Sequence, residues 1–273
     1  MSKPRAKLFR VYSWNVNGIR AAAKKGMADW MKTARADVIG MQETRALPEQ
    51  LDPEVLKPKR WRSHFVSAVR KGYSGVGMYS RREPDHIEAL SLGEERFDDE
   101  GRLQLARFGE LTIVNGYFPN GSGKNRDHSR VPYKLDFYRK LYALLEEGKK
   151  RGDKIVVMGD FNTAHEDIDL ARPKQNKKTS GFLAEERQEL DRWIQNGWSD
   201  SFRQFEAGPD HYSWWSNRVG VREKNIGWRI DYMLTSPGLT PHVLKAAIHP
   251  KVMGSDHCPI SVDLDPSVVD PED

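Results

Sequence analysis

The sequence predicts a layered α/β domain in which β-sheets are covered by helices. Three observations support this fold class: strand-like and helix-like segments alternate along the chain, strands outnumber helices, and no internal repeat or low-complexity linker interrupts them. The chain has 273 residues, which is near the upper limit for one hydrophobic core. We therefore expect a single domain over residues 1–273, with its core between about residues 8 and 264.

Short apolar or alternating runs predict the strands. Leu8–Trp14 alternates apolar and polar side chains, and the apolar run Ile155–Gly159 ends abruptly at Asp160. The other predicted strands are Asp37–Glu43, Gly75–Ser80, Leu111–Tyr117, Ile230–Thr235 and Pro259–Leu264.

Apolar residues at every third or fourth position predict the helices. This spacing is clearest in Tyr133–Lys150, and shorter helices are predicted over Gly26–Arg35 and Gly181–Asn196. The segment Asp265–Asp273 is rich in proline and aspartate, and we expect it to be frayed.

The composition excludes several classes of protein. Hydrophobic residues make up 38% of the chain, enough for a core, and no run approaches the ~18 apolar residues of a membrane span. Cys258 is the only cysteine, and Met1–Arg10 is not followed by the apolar segment of a signal peptide. We expect a soluble intracellular protein. The formal net charge of +5 is compatible with a polyanionic partner without establishing one.

Polar side chains collect where predicted strands end. Taken alone, an Asx residue at such a position is typical of a turn. Five such clusters in one chain favour a reaction centre instead. Asp160 and Asn162 stand two positions apart, which would direct both side chains to one face of a strand. The five clusters are Asn15 with Asn17, Glu43, Asp160 with Asn162, Asp231, and Asp256 with His257.

These residue types suit metal-assisted phosphoester hydrolysis. Mg²⁺ prefers carboxylate, carboxamide and water oxygens, and Glu43, Asp160 and Asp256 supply carboxylates. His257 could move a proton or bind a phosphate while Asp231 orients its ring. The chain has no cysteine–histidine array for zinc, no G-x-S-x-G motif and no Walker loop for phosphate.

Six motifs stand in a fixed order: Ser13–Arg20, Gln42–Thr44, Gly72–Gly77, Gly159–Asn162, Gly227–Tyr232 and Gly254–Pro259. Together they resemble the exonuclease III family of apurinic/apyrimidinic endonucleases, within the endonuclease/exonuclease/phosphatase superfamily. The resemblance extends from about Leu8 to Leu264. The fifth motif, together with Asn176–Lys178, makes it closer to this family than to other members of the superfamily.

The resemblance implies a four-layer α/β sandwich, in which two packed mixed β-sheets are flanked by helices. It implies a DNA repair phosphodiesterase that uses Mg²⁺, with Mn²⁺ as a substitute and one or two ions acting. The substrate would be double-stranded DNA cut 5′ to abasic sites, and 3′→5′ exonuclease, 3′-phosphatase and 3′-repair activities would act on 3′ ends. We expect a monomer with no membrane partner.

The resemblance also implies roles for individual residues. Asp160 would orient or deprotonate the attacking water, with Asn162 beside it. His257, held by Asp231, would contact the scissile phosphate together with Tyr117. The expected metal ligands are Asn15, Glu43, Asp160, Asn162, Asp256 and His257. The expected DNA contacts are Arg20, Tyr73, Asn120, Lys124, Asn176, Lys177, Lys178, Trp214, Arg218, Trp228 and Ile230.

Among these DNA contacts, a group of apolar residues implies selectivity for damaged DNA. Trp214, Trp228 and Ile230 match an apolar pocket that receives a flipped-out abasic sugar and excludes a normal nucleotide. Arg218 lies where the family inserts a side chain into the DNA stack. Trp215, in contrast, is assigned to the core.

Three features depart from the family pattern. Thr179 stands where many members have asparagine, Asn17 stands where some have aspartate, and Gly123–Arg130 is an extended charged loop. The loop resembles the bacterial exonuclease branch of the family, so we expect a bacterial-type cytoplasmic protein that works at the nucleoid.

Two other functions stay open: a lipid or inositol phosphate phosphatase with the same fold, and a DNA-binding module without catalysis.

Overall fold

A computed structural model describes residues 8–125 and 127–270 as two six-stranded sheets, a two-stranded ribbon and covering helices. The strands are β1 (Phe9–Asn15), β2 (Val38–Gln42), β3 (Arg62–Val66), β4 (Val76–Ser80), β5 (His86–Ala89), β6 (Leu103–Phe108), β7 (Leu111–Tyr117), β8 (Lys154–Asp160), β9 (Ser199–Asp200), β10 (Trp214–Trp215), β11 (Gly227–Trp228), β12 (Asp231–Thr235), β13 (Val243–Ile248) and β14 (Ile260–Leu264). The first sheet has the order β13-β14-β1-β2-β4-β3, and the second has the order β5-β6-β7-β8-β12-β9. Strands β1 and β2 are parallel, as are β7 and β8, whereas their other neighbours are antiparallel, so both sheets are mixed.

Helices cover the outer face of each sheet. They are α1 (Ile19–Lys24), α2 (Met27–Thr33), α3 (Pro53–Leu56), α4 (Glu95–Asp98), α5 (Val131–Arg151), α6 (Pro173–Asn176) and α7 (Ala184–Gln195). Met27 and Met31 of α2 pack on Ile39 of the first sheet, and Leu141 of α5 packs with Val157 of the second. The predicted four-layer sandwich is therefore confirmed.

The two sheets share a central apolar core. Val11 and Val38 of the first sheet lie in one buried cluster with Ile113 and Val156 of the second. A polar contact joins the same two layers, since Gln42 Nε2 donates to Asn115 Oδ1 at 2.7 Å. Because buried polar groups need specific partners, this bond favours one alignment of the sheets.

Some predicted boundaries are wrong. The helix predicted from Gly181 begins only at Ala184, because Gly181 has φ +94° and Leu183 is extended. The predicted fraying of Asp265–Asp273 is wrong for its first part, since Val268 and Val269 are buried in the central core. Residues 271–273 lie outside the described part of the chain.

Candidate active site

The two sheets bring their polar strand ends to one edge of the sandwich. Asn15 ends β1 and Glu43 follows β2 in the first sheet, whereas Asp160 ends β8 in the second. Asn15 Nδ2 donates to Glu43 Oε1 at 3.0 Å and to Asp160 Oδ2 at 2.8 Å. One buried amide thus holds a carboxylate from each sheet, and the predicted convergence is present.

Asn162 reaches Asp160 through a turn and not along a strand face. Strand β8 stops at Asp160, and Asn162 has left-handed backbone with φ 50°. Its backbone N–H donates to Asp160 Oδ1 at 2.8 Å, and its Nδ2 donates to the Phe118 carbonyl at 2.9 Å. The two side chains are neighbours as expected, but the geometric reason given from the sequence is wrong.

Glu43 is also held in left-handed backbone, with φ 53°. For a residue other than glycine this conformation costs on the order of 1 kcal/mol, and such strain concentrates at functional sites. The Glu43 carboxylate forms an ion pair with Arg45 in addition to its bond from Asn15.

His257 and Asp231 form a hydrogen-bonded pair opposite Asp160. His257 Nδ1 is 2.9 Å from Asp231 Oδ2, and Ser213 Oγ donates to the same oxygen at 2.6 Å. His257 Nε2 lies 3.8 Å from Asp160 Oδ2. Strand pairing sets this arrangement, because Asp231 of β12 stands opposite Asp160 of β8.

Burial and charge shift the pKa values of both partners. Burial would lower the pKa of His257, but the charges of Asp231 and Asp160 outweigh it and raise the pKa to about 10. Burial raises the pKa of Asp160 to about 7 against the opposing charge of His257, and Asp231 and Glu43 add to the rise. The site therefore concentrates negative charge that a cation can relieve.

The donor atoms fit a metal ion. Ligand atoms of Asp160, Asp231 and His257 all lie within 4.8 Å of one another. Asp231 Oδ1 is buried without a hydrogen-bond partner in the described residues, although Asp231 was not among the predicted ligands. Oxygen-rich sets of this kind suit hard divalent cations. The acidic group could hold a metal.

The other predicted ligands are engaged in hydrogen bonds. Asn15 presents its amide nitrogen to the carboxylates, while its Oδ1 accepts from the Asn17 backbone at 3.0 Å. Asp256 accepts from Asn17 Nδ2 at 2.8 Å and from Trp214 Nε1 at 3.2 Å. Coordination through the Asn15 oxygen would require its amide to turn.

Tyr117 lies at the end of β7 beside this cluster. Burial and the nearby charge of Glu43 raise its pKa well above the ordinary value, although Arg102 opposes the rise. The Arg102 guanidinium lies 4.6 Å from the Tyr117 ring centroid and donates to its carbonyl at 3.0 Å. A cavity of about 540 Å³ adjoins it, lined in part by Tyr73, Tyr117, Asn120 and Lys124.

The residues predicted to receive the abasic sugar form one apolar cluster. Trp214 and Trp228 pair across the β10–β11 ribbon with ring centroids 6.3 Å apart, and Ile230 packs with them. Phe182, which the sequence did not single out, completes the same cluster. Trp215 faces away and is buried in a different cluster, as predicted.

The predicted phosphate contacts are mostly exposed side chains. Arg20, Lys177, Lys178 and Arg218 are all exposed. Asn176 differs, since its Nδ2 donates to the Arg172 carbonyl at 2.8 Å and its Oδ1 accepts from Thr179 at 3.2 Å. The departure at position 179 therefore contacts a predicted DNA-binding residue directly.

A network of buried charged residues lies next to the aromatic cluster, and the sequence did not predict it. Arg229, between Trp228 and Ile230, is 1% exposed and binds Asp169 and Asp200 through its guanidinium. A charged residue between two apolar neighbours was the available signal, but its partners lie 60 and 29 positions away.

Fold and site together define a phosphoester-cleaving hydrolase built on a two-sheet sandwich. Residues 12–257 match the Endonuclease/Exonuclease/phosphatase family, and the chain belongs to that family.

Relatives at the sequence level are nucleases. An exodeoxyribonuclease of Bacillus subtilis (strain 168) is 38% identical over 258 residues, covering 93% of this chain and 98% of the relative. The DNA repair nuclease APEX1 of Danio rerio is 37% identical over 266 residues, covering 95% of this chain and 83% of the relative. The resemblance stated from the motifs is confirmed.

Solved structures of relatives share the fold. The catalytic domain of Xenopus laevis APE2 superposes with a TM-score of 0.84 at 30% identity, covering 94% of this chain and 92% of that one. An AP endonuclease from Archaeoglobus fulgidus gives a TM-score of 0.84 at 27% identity, with 94% and 99% covered. Across residues 8–125 and 127–270, no helix is both long and apolar enough to cross a membrane.

Proposed function

We propose that this protein is a Mg²⁺-dependent DNA repair phosphodiesterase that incises double-stranded DNA 5′ to abasic sites. One observation carries the proposal: the Glu43 and Asp160 carboxylates, joined by Asn15, lie next to the Asp231–His257 pair. The aromatic cluster adjoins this site, since Trp214 donates to Asp256. Relatives named exodeoxyribonuclease and DNA repair nuclease support it. We propose that the same centre trims nucleotides, phosphates and blocking groups from 3′ ends.

Asp160 is assigned the role of orienting or deprotonating the attacking water. Its pKa, raised to about 7, gives it the basicity of a carboxylate that can accept a proton near neutral pH. Asn162 lies beside it as a second polar contact for the water or the phosphate.

Hydrogen-bond donors held in place by neighbouring residues would stabilise the negative charge on the phosphate. His257, with Nδ1 held by Asp231, turns Nε2 toward Asp160 and would donate to a phosphate oxygen bound there. Tyr117, fixed by Arg102, would contact the same phosphate. These groups are oriented before substrate arrives, so little reorganisation is needed during the reaction.

A bound Mg²⁺ would supply Lewis-acid neutralisation of the phosphate charge, and Mn²⁺ would substitute for it. Glu43 and Asp256 are its expected carboxylate ligands, with Asn15 joining them. Asp160, Asn162 and His257 are further candidates, which leaves room for one or two ions.

The aromatic pocket would select the lesion. Trp214, Trp228 and Ile230, with Phe182, form an apolar wall beside the Asp256 carboxylate. A deoxyribose without a base would enter it, and flipping costs least where no base must be unpaired. Arg218 would fill the vacated space in the DNA stack.

Phosphates on either side of the lesion would bind basic and polar side chains of the surface. The proposed contacts are Arg20, Tyr73, Asn120, Lys124, Asn176, Lys177 and Lys178. We further propose that the protein acts as a monomer in the bacterial cytoplasm at the nucleoid, a setting supported by the Bacillus subtilis relative.

A duplex with one internal tetrahydrofuran, a stable abasic analogue, tests the function. We expect a single nick 5′ to the analogue with Mg²⁺ or Mn²⁺ present and none after addition of excess EDTA. The matched control is the same duplex with an ordinary nucleotide at that position. If no metal-dependent nick forms, the proposal is wrong.

A further inference from the structure

A fully buried ion pair joins helices α5 and α7 behind the active site. Lys134 Nζ lies 2.8 Å from Glu186 Oε1, and both side chains are 0% exposed. Lys134 Nζ also donates to the backbone carbonyl of Asn162 at 2.7 Å. Withdrawing two charges from water is costly, and an apolar pair would join two helices as well. The extra bond to Asn162 points to a further role.

Glu186 uses both of its oxygens on the turn before α7. Its Oε1 accepts from Ser180 Oγ at 3.0 Å as well as from Lys134, and its Oε2 accepts from the backbone N–H groups of Gly181 and Leu183. The Leu183 bond is an ordinary cap of the helix N-terminus. The bonds to Ser180 and Gly181 go further, because they fix the turn that carries Phe182.

That turn forms part of the pocket wall and touches the catalytic loop. Phe182 packs in the cluster of Trp214, Trp228 and Ile230. The Gly181 carbonyl accepts from the Ala164 backbone N–H at 2.8 Å, in the loop that follows Asn162.

A third loop packs against the same pair. A Cβ atom at Gly121 would lie 2.5 Å from Ser180 Oγ and 2.8 Å from Glu186 Oε1. The preceding residue, Asn120, donates to Asn162 Oδ1 at 3.2 Å. Three loops, residues 118–121, 161–164 and 180–183, therefore meet at Lys134 and Glu186.

We propose that Lys134 and Glu186 are positioning residues that fix the pocket wall relative to Asn162, and that they thereby set the selectivity for a base-free sugar over an ordinary nucleotide. This inference rests on the proposed function. Neither side chain reaches the substrate, and both act through Asn162 and the Phe182 turn. A wall that relaxes would admit a base, and a shift of about 1 Å at a reacting group can change a rate by ~100-fold.

The test is a ratio of two activities of the full-length protein with Mg²⁺. One is kcat/KM for incision at tetrahydrofuran, and the other is kcat/KM for removal of an ordinary 3′ nucleotide from a duplex of equal length. In Glu186→Gln, an amide donor replaces one acceptor oxygen, and we expect the ratio to fall roughly tenfold. Loss of general stability would lower both activities together and leave the ratio unchanged.

A matched control exists on the same two helices. Arg139 Nε and Glu189 Oε1 form another α5–α7 pair at 2.7 Å, about one turn further from the site. Arg139→Met should leave the ratio at its wild-type value. The fall in the ratio in the double variant Lys134→Met/Glu186→Gln should be smaller than the product of the falls in the two single variants, because the effects of residues in contact are not additive.

Ser180→Ala keeps the proposal testable if Glu186→Gln does not fold. It removes one bond to Glu186 from a half-buried residue, and we expect a roughly threefold fall in the ratio, as for the loss of one hydrogen bond. An unchanged ratio in Ser180→Ala or in folded Glu186→Gln, or an equal fall in Arg139→Met, would overturn the inference. A wild-type protein that cuts neither duplex would instead refute the proposed function.

Discussion

Replacing Asp169 by asparagine tests whether a buried ion network stabilises the segment that carries Trp228 and Ile230. Asp169 is 1% exposed and accepts from Arg229 Nε at 2.8 Å and Nη2 at 3.0 Å, and Arg203 donates to it as well. Burial alone would raise the pKa of Asp169, but these guanidinium groups outweigh it and lower the pKa from 3.8 to about 2. At about 1.36 kcal/mol per pH unit, the ionised carboxylate stabilises the folded state by roughly 2 kcal/mol.

The sign of the pH dependence follows from the lowered pKa. Because the folded value lies below the unfolded one, this stabilisation is complete above about pH 5 and is lost as the pH falls through 2. Urea unfolding of wild type and Asp169→Asn should therefore differ by roughly 2 kcal/mol at pH 7 and by about half of that at pH 3.

Asp29→Asn is the matched control for this measurement. Asp29 pairs with Lys32 on the surface, where both side chains are largely exposed, so we expect no measurable change in the free energy of unfolding at either pH. If wild type and Asp169→Asn differed by the same amount at pH 7 and pH 3, the ionised state of Asp169 would not be the source of the stability.

Three further predictions concern the reaction and the DNA surface. Asp160→Asn should lower single-turnover incision by ~100-fold or more while DNA affinity by fluorescence anisotropy is retained, because an amide cannot accept the proton of water; near-wild-type turnover would contradict the assignment. Arg218→Ala should weaken binding of abasic duplex several-fold, and an unchanged Kd would exclude insertion into the stack. Lys177→Gln/Lys178→Gln should reduce the slope of log Kd against log salt by about 2, since each lost phosphate contact removes ~0.9; an unaltered slope would show that neither side chain meets a phosphate.

The sequence predicted the strand ends well because an apolar run that stops at a carboxylate or carboxamide side chain is a local signal. Asn15, Glu43 and Asp160 were found in this way. The reason given for Asn162 was wrong, because strand β8 stops at Asp160 and Asn162 lies in a left-handed turn. Its side chain is bonded to Phe118 and Asn120, which are distant in sequence. The role of Lys134 was not predicted for the same reason, because its partner Glu186 is 52 positions away and no local pattern indicates the pairing.

Edge strands were missed for a related reason. Strands β3, β5 and β13 each keep several side chains at least partly exposed, so their residues lack the continuous apolar run of a central strand. Backbone hydrogen bonds to a neighbouring strand set their place in the sheet. The hydrophobicity pattern of one β-strand does not encode that pairing.

The division of the carboxylates between two sheets has a thermodynamic consequence. Glu43 belongs to one sheet and Asp160 to the other, and Asn15 connects them. A divalent ion that takes Asp160 as well as Glu43 among its ligands would recognise only the docked pair of sheets, since each separated sheet presents part of the site. By mass action, such an ion would act as a reversible cross-link and raise the melting temperature with its concentration. Chelation would then weaken the docking of the two layers even in the absence of DNA.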